Sequence, residues 1–417
     1  VKSVAILIAT ICATWQAAHG QCSASARYVS DQFALVGRTT AIYAVANNYL
    51  GLPQWLELDV YTPTFDQAVN RPCIIYMHGG AFLTGDKRMT DAVDFCHYFA
   101  RKGYVTVSIG YRLGALNPTK SEDMIRAVIR ALQDARGAVQ FMKKRAAHFR
   151  INPDKIFFAG YSAGAVTALH LAYLNRLEEF AQIADPAILN QMGGINAASG
   201  NYVGANWKVA GIIAYSGAIA RRDWIESGDA PVLAIHGALD DVVPYNTDEP
   251  LFGVVQPPLV MDGSGKYIYA AREVGVCADL LTFLNEGHLY PYNPVRAGQA
   301  YDFIRHRLCR WVYGVPCSAG NHVVGDQNIG WGGRIGRNDE PSVLIYPNPT
   351  SGSFTVSLPS VGAAVVRLMD LSGRIVVEKS VDSDVPTQIP SPESAKGIYV
   401  VEAVGGGRVW REKLRIE

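Results

Sequence analysis

The sequence predicts an α/β protein: a mostly parallel sheet with helices on both faces, followed by a small C-terminal antiparallel β-sandwich. Short apolar runs closed by glycine recur between about residues 29 and 320. Stretches with helical periodicity separate these runs, and after residue 317 the composition changes to Gly and Asn and then to closely spaced short strands. Strands that alternate with helices form parallel sheets buried on both faces, which gives the fold class.

The individual elements follow from their patterns. "LELDVYTP" alternates as an early strand at the sheet edge, and "PCIIYMHGG" and "YVTVSIGYR" read as buried strands. "SEDMIRAVIRALQDARGAVQFMKKRAAHF" has apolar residues at three- and four-residue steps and predicts a long amphipathic helix. "KIFFAG", "VAGIIAYSG" and "PVLAIHG" are three further strands. Right-handed crossovers place the ends of such strands along one edge of the sheet, where we expect the chemistry.

The C-terminal part has a different organisation. Residues 321–341 are rich in Gly and Asn without apolar periodicity and are interpreted as a linker. From residue 342 to 417, short strands separated by Ser-Gly and Gly-Gly predict an antiparallel sandwich. The expected domains are therefore 21–320, which would carry the chemistry, and 342–417.

Charge and hydropathy exclude several functions and predict export. The 417 residues include 38 Lys and Arg against 37 Asp and Glu, so the net charge of +1 gives no reason to expect nucleic acid or an anionic membrane surface as a partner. Residues 1–20 combine Lys2, a short apolar run and small residues before Gln21, which predicts a cleaved secretory signal rather than a buried helix. No other stretch approaches the ~18 apolar residues that a membrane span requires.

Six of the seven cysteines remain after removal of this signal. An even number in an exported chain permits up to three disulfides, with all pairings open, and Cys309 with Cys317 is the simplest local pair. No Cys-x-x-Cys or His-x-x-x-His spacing occurs, so we expect no metal site.

"KIFFAGYSAGA" contains the central chemical signal. Gly160-Tyr-Ser162-Ala-Gly164 follows a predicted strand and precedes a predicted helix, the setting of the G-x-S-x-G elbow that exposes a nucleophilic serine. The pentapeptide alone is also compatible with a structural turn. Two other stretches favour catalysis.

The first is the glycine-rich loop from His78 to Phe82, which follows a buried strand and can direct backbone N–H groups at a developing oxyanion. The second is "AIHGALDDVVPY", which offers Asp240 or Asp241 to orient a histidine. His288 lies further along in a strand-end loop after glycine, whereas His97, His148, His170 and His306 lie on helical patterns. Ser, Asp, His is the chain order expected of this arrangement.

From about residue 59 to 312 the chain resembles the α/β-hydrolase fold of esterases and lipases. The resemblance lies in "MHGGAF", "VSIGYRL", "INPDKIFFAGYSAGA", "IHGALDDVVP" and "NEGHLY". It implies Ser162, Asp240 and His288 as the catalytic residues, with Asp240 selected over Asp241. It also implies an oxyanion hole of the Gly80, Ala81 and Ala163 amides, steadied by His78. The loop reads HGGA rather than HGGG, which leaves the subfamily and the substrate open.

The tail resembles the type A C-terminal sorting domain of the type IX secretion system. "YPNPTSGSFTV", "LMDLSGRIV", "KGIYVV" and "KLRIE" carry the resemblance over about 75 residues. It implies the type IX machinery as a partner, with export through the periplasm of a Gram-negative bacterium to the cell surface or the medium.

Together these features predict a secreted serine ester hydrolase that forms an acyl-enzyme and needs no cofactor. Loops 176–208 and 245–270 lack an apolar lipase lid, which favours small or aromatic esters. They and the motif loops offer aromatic pocket walls: Phe82, Tyr161, Tyr202, Trp207, Phe252 and Tyr290. The alternatives are a serine peptidase of the same fold and a non-catalytic binding module.

Overall fold

The computed structural model describes most of the chain and divides it into two compact units. The described residues are 22–200, 202, 204–251, 259–315, 321–324, 344–346, 353–358, 363–370, 374–382, 387–391, 396–405 and 408–416. The first unit extends to Val324 and the second begins at Gly325. The predicted signal segment lies outside the described residues.

A nine-stranded sheet in the order β1-β2-β4-β3-β5-β6-β8-β11-β12 forms the centre of the first unit. All neighbouring pairs from β4 to β12 are parallel, whereas β1 and β2 are antiparallel to each other and β2 is antiparallel to β4. The strands of this sheet are β1 (Val36–Asn47), β2 (Pro53–Pro63), β3 (Arg71–Met77), β4 (Val105–Ile109), β5 (Ile151–Tyr161), β6 (Gly211–Tyr215), β8 (Val232–Gly237), β11 (Ala278–Phe283) and β12 (Asn321–Val324). A small separate sheet contains β7 (Ala218–Ile219), β9 (Thr247–Asp248) and β10 (Met261–Gly263).

Helices cover both faces of the large sheet, which confirms the predicted fold class. One apolar core packs α1 and α8 against the sheet, and the other packs α2, α4 and α7 against the opposite face. No helix of the described residues is long and apolar enough to cross a membrane. The α-helices are α1 (Thr90–Ala100), α2 (Ser121–Lys144), α3 (Ala146–Phe149), α4 (Ala163–Tyr173), α5 (Leu177–Phe180), α6 (Pro186–Gln191), α7 (Ser264–Glu273) and α8 (Pro294–Val312).

Both edges of the central sheet differ from the sequence prediction. β2, which contains "LELDVYTP", is not at the edge, because β1 pairs along its whole length. At the other edge β12 pairs in parallel with β11, so residues 321–324 of the expected linker belong to the central sheet. β1 escaped prediction because its outward face is exposed and its apolar residues do not alternate regularly.

The disulfide differs from the local pair that the sequence suggested. Cys309 bonds to Cys22, with 5.9 Å between their Cα atoms, and not to Cys317, which lies outside the described residues. Cys309 is buried on the inner face of α8, toward the N-terminal segment, whose Val29 carbonyl accepts from Arg305. Cys277 is also disulfide-bonded, whereas Cys73 and Cys96 are free and buried.

The second unit consists of two antiparallel sheets around a core of their own, as predicted. One sheet has the order β13-β14-β17 and the other β16-β15-β18-β19. Buried residues of both sheets, such as Phe354 and Leu368, form a single apolar cluster. The strands are β13 (Leu344–Tyr346), β14 (Phe354–Ser357), β15 (Ala363–Met369), β16 (Ile375–Asp382), β17 (Thr387–Ile389), β18 (Gly397–Gly405) and β19 (Arg408–Ile416).

Candidate active site

Ser162 occupies the sharp bend between β5 and α4. Its backbone has φ 54° and ψ −118°, a conformation that residues other than glycine rarely adopt. Its N–H donates to the carbonyl of Tyr215 on the neighbouring strand. The bend brings backbones together so tightly that a Cβ on Gly164 would lie 2.0 Å from the carbonyl oxygen of Met77. The glycine requirement of the elbow therefore has a direct steric cause.

Asp240 and His288 lie in loops that follow β8 and β11, two neighbouring parallel strands. The last residues of these strands, Gly237 and Phe283, are paired in register, so both loops leave the same edge of the sheet. The Leu239 N–H donates to the Glu286 carbonyl at 3.0 Å. This bond ties the two loops together and fixes the spacing of the two functional side chains.

The three side chains converge. His288 Nε2 lies 3.0 Å from Ser162 Oγ, and His288 Nδ1 lies 2.8 Å from Asp240 Oδ2. The side chain of Asp240 is fully buried, and that of His288 is 10% exposed. The structure therefore brings the predicted serine, histidine and aspartate within hydrogen-bonding distance, although 126 positions separate Ser162 from His288.

The Asp240 carboxylate is surrounded by donors. Burial alone would raise its pKa, but hydrogen bonds from His236 and His288 hold the pKa well below its usual range. The N–H groups of Val242 and Val243 donate to Oδ1 at 3.0 and 2.9 Å. The carboxylate is therefore ionised at neutral pH. Asp241, its neighbour, is exposed.

The three predicted oxyanion amides lie next to the elbow. Gly80 has φ 112°, Ala81 has φ 55° and Phe82 has φ 64°, so the loop after β3 has positive φ at three successive residues. A Cβ on Gly80 would lie 2.0 Å from the Thr84 carbonyl oxygen, which leaves room only for glycine. Among the described residues, the N–H groups of Gly80, Ala81 and Ala163 donate to no backbone carbonyl. These amides remain candidates for binding an oxyanion.

The ring of His78 is buried and contacts this loop. It is 1% exposed, its Nδ1 lies 2.7 Å from the Gly79 carbonyl oxygen, and its ring packs on Tyr111. Burial lowers the pKa of His78, so the neutral ring is favoured. These contacts fit a supporting position under the loop.

Of the aromatic pocket candidates, Tyr161 packs against the His288 loop and Tyr290 lies in the core. The Tyr161 ring packs on His288 at 5.1 Å, and its hydroxyl donates to the His288 carbonyl at 2.9 Å. Tyr290 is 2% exposed and donates to the Ile235 carbonyl. Tyr161 thus supports the histidine loop, and Tyr290 fills the core instead of lining a pocket.

Of the other candidates, Tyr202 and Trp207 contact residues other than Ser162, Asp240 and His288. Phe82 is fully buried in the core. The Tyr202 hydroxyl donates to the Tyr43 carbonyl, and the Trp207 ring lies 4.9 Å from the Arg136 guanidinium of α2. Loop 176–208 therefore packs on α2, and Phe252 lies outside the described residues.

The sequence analysis did not identify two groups of residues near the site: a buried histidine and two exposed leucines. His236, at the end of β8, is fully buried with its Nε2 3.2 Å from Asp240 Oδ2. Its position four residues before Asp240 in a buried strand was the available signal. Leu239 and Leu289, which directly flank Asp240 and His288, are 47% and 68% exposed and offer apolar surface beside the site. No cluster of His, Cys, Asp and Glu in the described part of the chain is arranged to hold a metal ion.

A mostly parallel sheet with a serine elbow after one strand, and an acid and a histidine after later strands, defines the α/β-hydrolase class. The comparisons with known proteins confirm the resemblance. Residues 58–219 match the family model BD-FAE, and residues 344–417 match the secretion system C-terminal sorting domain.

Relatives and solved structures with esterase names are also similar to this chain. Esterase-5C of Drosophila pseudoobscura pseudoobscura and Esterase P of Drosophila melanogaster are each 32% identical over 143 residues, which is 34% of this chain. The match spans only 25% of the length of each relative. Esterase 2 of Thermogutta terrifontis, phosphoramylated by tabun, is 19% identical with a TM-score of 0.48, covering 65% of this chain and 94% of that one.

Proposed function

We propose that the protein is an exported serine hydrolase that cleaves carboxylic esters through an acyl-enzyme. The observation that carries the proposal is the continuous set of contacts from Ser162 through His288 to the buried Asp240. The match of residues 58–219 to the BD-FAE model and the esterase names of the relatives support the choice of ester over other acyl substrates.

In the proposed first step, Ser162 Oγ attacks the ester carbonyl carbon while His288 Nε2 takes the hydroxyl proton. Asp240 accepts from His288 Nδ1 and stabilises the imidazolium that forms. The carbonyl oxygen becomes an oxyanion, which the Gly80, Ala81 and Ala163 amides would bind.

The tetrahedral intermediate then collapses. The bond to the alcohol oxygen breaks, His288 returns the proton to that oxygen, and the acyl group stays on Ser162. Water repeats the attack with His288 again as base, which releases the carboxylic acid and restores the serine.

Replacing the nucleophile tests the proposal. We expect Ser162→Ala to lower kcat for p-nitrophenyl acetate by about 10⁴-fold or more, because loss of the nucleophile removes the covalent route. The exposed Ser227→Ala is the matched control and should retain full activity. Activity of Ser162→Ala within tenfold of wild type would exclude this nucleophile.

The same assay separates the alternative functions. Labelling of wild type, but not of Ser162→Ala, by a fluorophosphonate probe distinguishes an enzyme from a binding module. Hydrolysis of esters without cleavage of peptidyl anilides distinguishes an esterase from a peptidase. For the substrate we propose small or aromatic esters, since exposed Leu239 and Leu289, next to Asp240 and His288 in the chain, provide a modest apolar surface.

We further propose that residues 342–417 direct the protein through the type IX secretion machinery to the cell surface or the medium. The match of residues 344–417 to a sorting domain and the separate sandwich core support this proposal. A reporter with residues 1–20 at its N-terminus and residues 325–417 at its C-terminus should be exported by a type IX host and retained in the periplasm of a host that lacks the machinery.

A further inference from the structure

A second histidine contacts the carboxylate that orients His288. His236 is fully buried at the end of β8, and its Nε2 lies 3.2 Å from Asp240 Oδ2 and 3.1 Å from the Val243 carbonyl oxygen. The same Oδ2 accepts from His288 Nδ1 at 2.8 Å. Two imidazole rings therefore meet on one carboxylate oxygen.

The partners of His236 fix which nitrogen carries a proton. The Val243 carbonyl and the ionised Asp240 carboxylate only accept, so Nε2 must carry the N–H. This N–H donates to the Val243 carbonyl oxygen, and Asp240 Oδ2 lies 3.2 Å from the same nitrogen. On the other side of the ring, Nδ1 lies 2.7 Å from Ser264 Oγ, which itself lies 3.1 Å from the Tyr267 hydroxyl. In the neutral ring Nδ1 accepts from Ser264, and Ser264 accepts from Tyr267.

These bonds form a directed chain from Tyr267 through Ser264 and His236 to Asp240. All four side chains are fully buried. Tyr245 packs its ring edge-on against His236 at 5.5 Å and closes the remaining side. No water needs to enter for His236 to keep its orientation.

The chain of contacts from Tyr267 to His236 reaches one oxygen of Asp240, and backbone N–H groups hold the other oxygen. The Val242 and Val243 N–H groups hold Oδ1 from within the loop, whereas His236 holds Oδ2 from β8. With both oxygens held, rotation of the carboxylate away from His288 would break at least one buried hydrogen bond. Such outer partners are known to fix the orientation of the groups that they contact.

We propose, on the basis of the proposed function, that His236 is a positioning residue whose Nε2–H, shared between the Val243 carbonyl and Asp240 Oδ2, holds the Asp240 carboxylate against His288. His236 does not contact the substrate, and it acts on the reaction only through Asp240. Ser264 donates to Nδ1 and helps to hold the ring in this orientation. Loss of His236 should therefore affect turnover as well as the stability of the core.

Three variants test the role. His236→Leu removes the donor, and we expect kcat to fall 10- to 100-fold with KM within twofold, because substrate binding does not involve His236. His236→Gln keeps an N–H donor on a side chain of similar reach and should recover kcat to within about threefold of wild type. Ser264→Ala, which leaves the ring in place, should lower kcat 3- to 10-fold.

His170→Leu is the matched control. His170 is likewise buried, with Nδ1 2.7 Å from the Val166 carbonyl oxygen and Nε2 accepting from the Ala220 N–H. It has no contact with Asp240, so its loss should lower the melting temperature while kcat stays within twofold of wild type. A general effect of removing a buried histidine would instead lower kcat in both leucine variants.

A proton NMR spectrum supplies a readout that does not need turnover. The Nδ1–H of His288, bonded to Asp240, should give a far-downfield signal in wild type and in His236→Gln, and a shifted or lost signal in His236→Leu. If wild type hydrolyses no ester, the proposed function fails while this signal still decides the present inference. An unchanged signal and wild-type kcat in His236→Leu would overturn the inference, and if that variant does not fold, the same result in Ser264→Ala would do so.

Discussion

At the scale of single residues, steric demands at the elbow connect sequence to chemistry most directly. Ser162 is held at a positive φ by backbone contacts that only small neighbours permit. This is why the G-x-S-x-G pattern predicts its own local structure so well. A side chain added at Gly160 or Gly164 would clash with nearby backbone and move the Ser162 hydroxyl.

Gly164→Ala tests this steric argument. The added Cβ would lie 2.0 Å from the Met77 carbonyl oxygen, so β3 and the elbow must separate. We expect the free energy of unfolding to fall by about 1–3 kcal/mol and kcat to fall by more than tenfold, since Ser162 shifts with its helix. Urea unfolding and ester hydrolysis measure the two effects.

Gly298→Ala provides the control for that substitution. Gly298 lies on the exposed side of α8, and an added Cβ would meet no atom within 4 Å. Alanine favours the helix by about 0.5–1 kcal/mol relative to glycine, so this variant should be slightly more stable and fully active. Equal losses in both variants would contradict the steric explanation.

Asp91 on α1 makes a prediction about pH. Burial raises its pKa above the usual range, although a hydrogen bond from Tyr76 at 2.7 Å opposes the effect. The folded protein therefore binds this proton more tightly than the unfolded chain. The stability associated with protonated Asp91 is complete below the unfolded pKa of about 3.9 and is lost as pH rises through the folded pKa.

Asp91→Asn should remove this dependence while keeping an oxygen for Tyr76. We expect the variant to become more stable relative to wild type as pH rises from 4 to 7, with each unit of pKa difference corresponding to about 1.4 kcal/mol. Asp94→Asn, on the exposed side of the same helix, is the control. A stability difference that stays constant across this pH range would show that Asp91 is not the titrating group.

Side-chain direction limited what the sequence could predict at this scale. Ser162, Asp240 and His288 were predictable because each follows a recognisable strand-end motif. Tyr202, Trp207 and Tyr290 were not, because composition shows that a loop holds aromatics but not which side they face. His236 was overlooked because a histidine inside a buried strand has no pattern that distinguishes support of Asp240 from ordinary core packing.

At the scale of elements, the alternation of apolar runs and helical periodicity predicted the parallel strands of the central sheet, namely β3, β4, β5, β6, β8 and β11. Strands such as β3, β4 and β6 are buried along their whole length, so apolar residues predominate in them. β1 and β12 lie at the edges, where one side meets solvent or a single neighbour, and their patterns are weaker. Pairing with β2 and β11 supplies the remaining stabilisation.

The disulfide between Cys22 and Cys309 joins α8 to the N-terminal segment, and its two cysteines are 287 positions apart in the sequence. Replacing both cysteines by alanine should lower the free energy of unfolding by about 2–4 kcal/mol, because the unfolded chain gains conformational freedom. Urea unfolding under oxidising conditions measures the loss. The active-site contacts lie in other loops, so kcat should remain within twofold, and an unchanged midpoint would show that the bond adds no stability.

At the scale of the whole molecule, each unit has its own apolar core. The cores of the first unit contain residues from the central sheet and its helices, whereas the core of the second contains residues from β13 to β19. The change in composition after residue 317 predicted this division. It did not predict β12, the last strand of the central sheet, because "NHVV" is short and is followed by glycine-rich sequence.

Truncation after Val324 tests whether the first unit is sufficient. The proposed catalytic residues and both of its cores lie before Gly325, so a chain that ends at Val324 should hydrolyse esters with kcat/KM within twofold of the full chain. A chain that ends at residue 320 differs only by loss of β12, which leaves the β11 edge unpaired. This shorter chain should unfold at a lower urea concentration and aggregate more readily, because an open parallel edge recruits other strands. Equal stability of the two truncations would show that β12 contributes nothing, and loss of activity in the longer one would show that catalysis depends on the second unit.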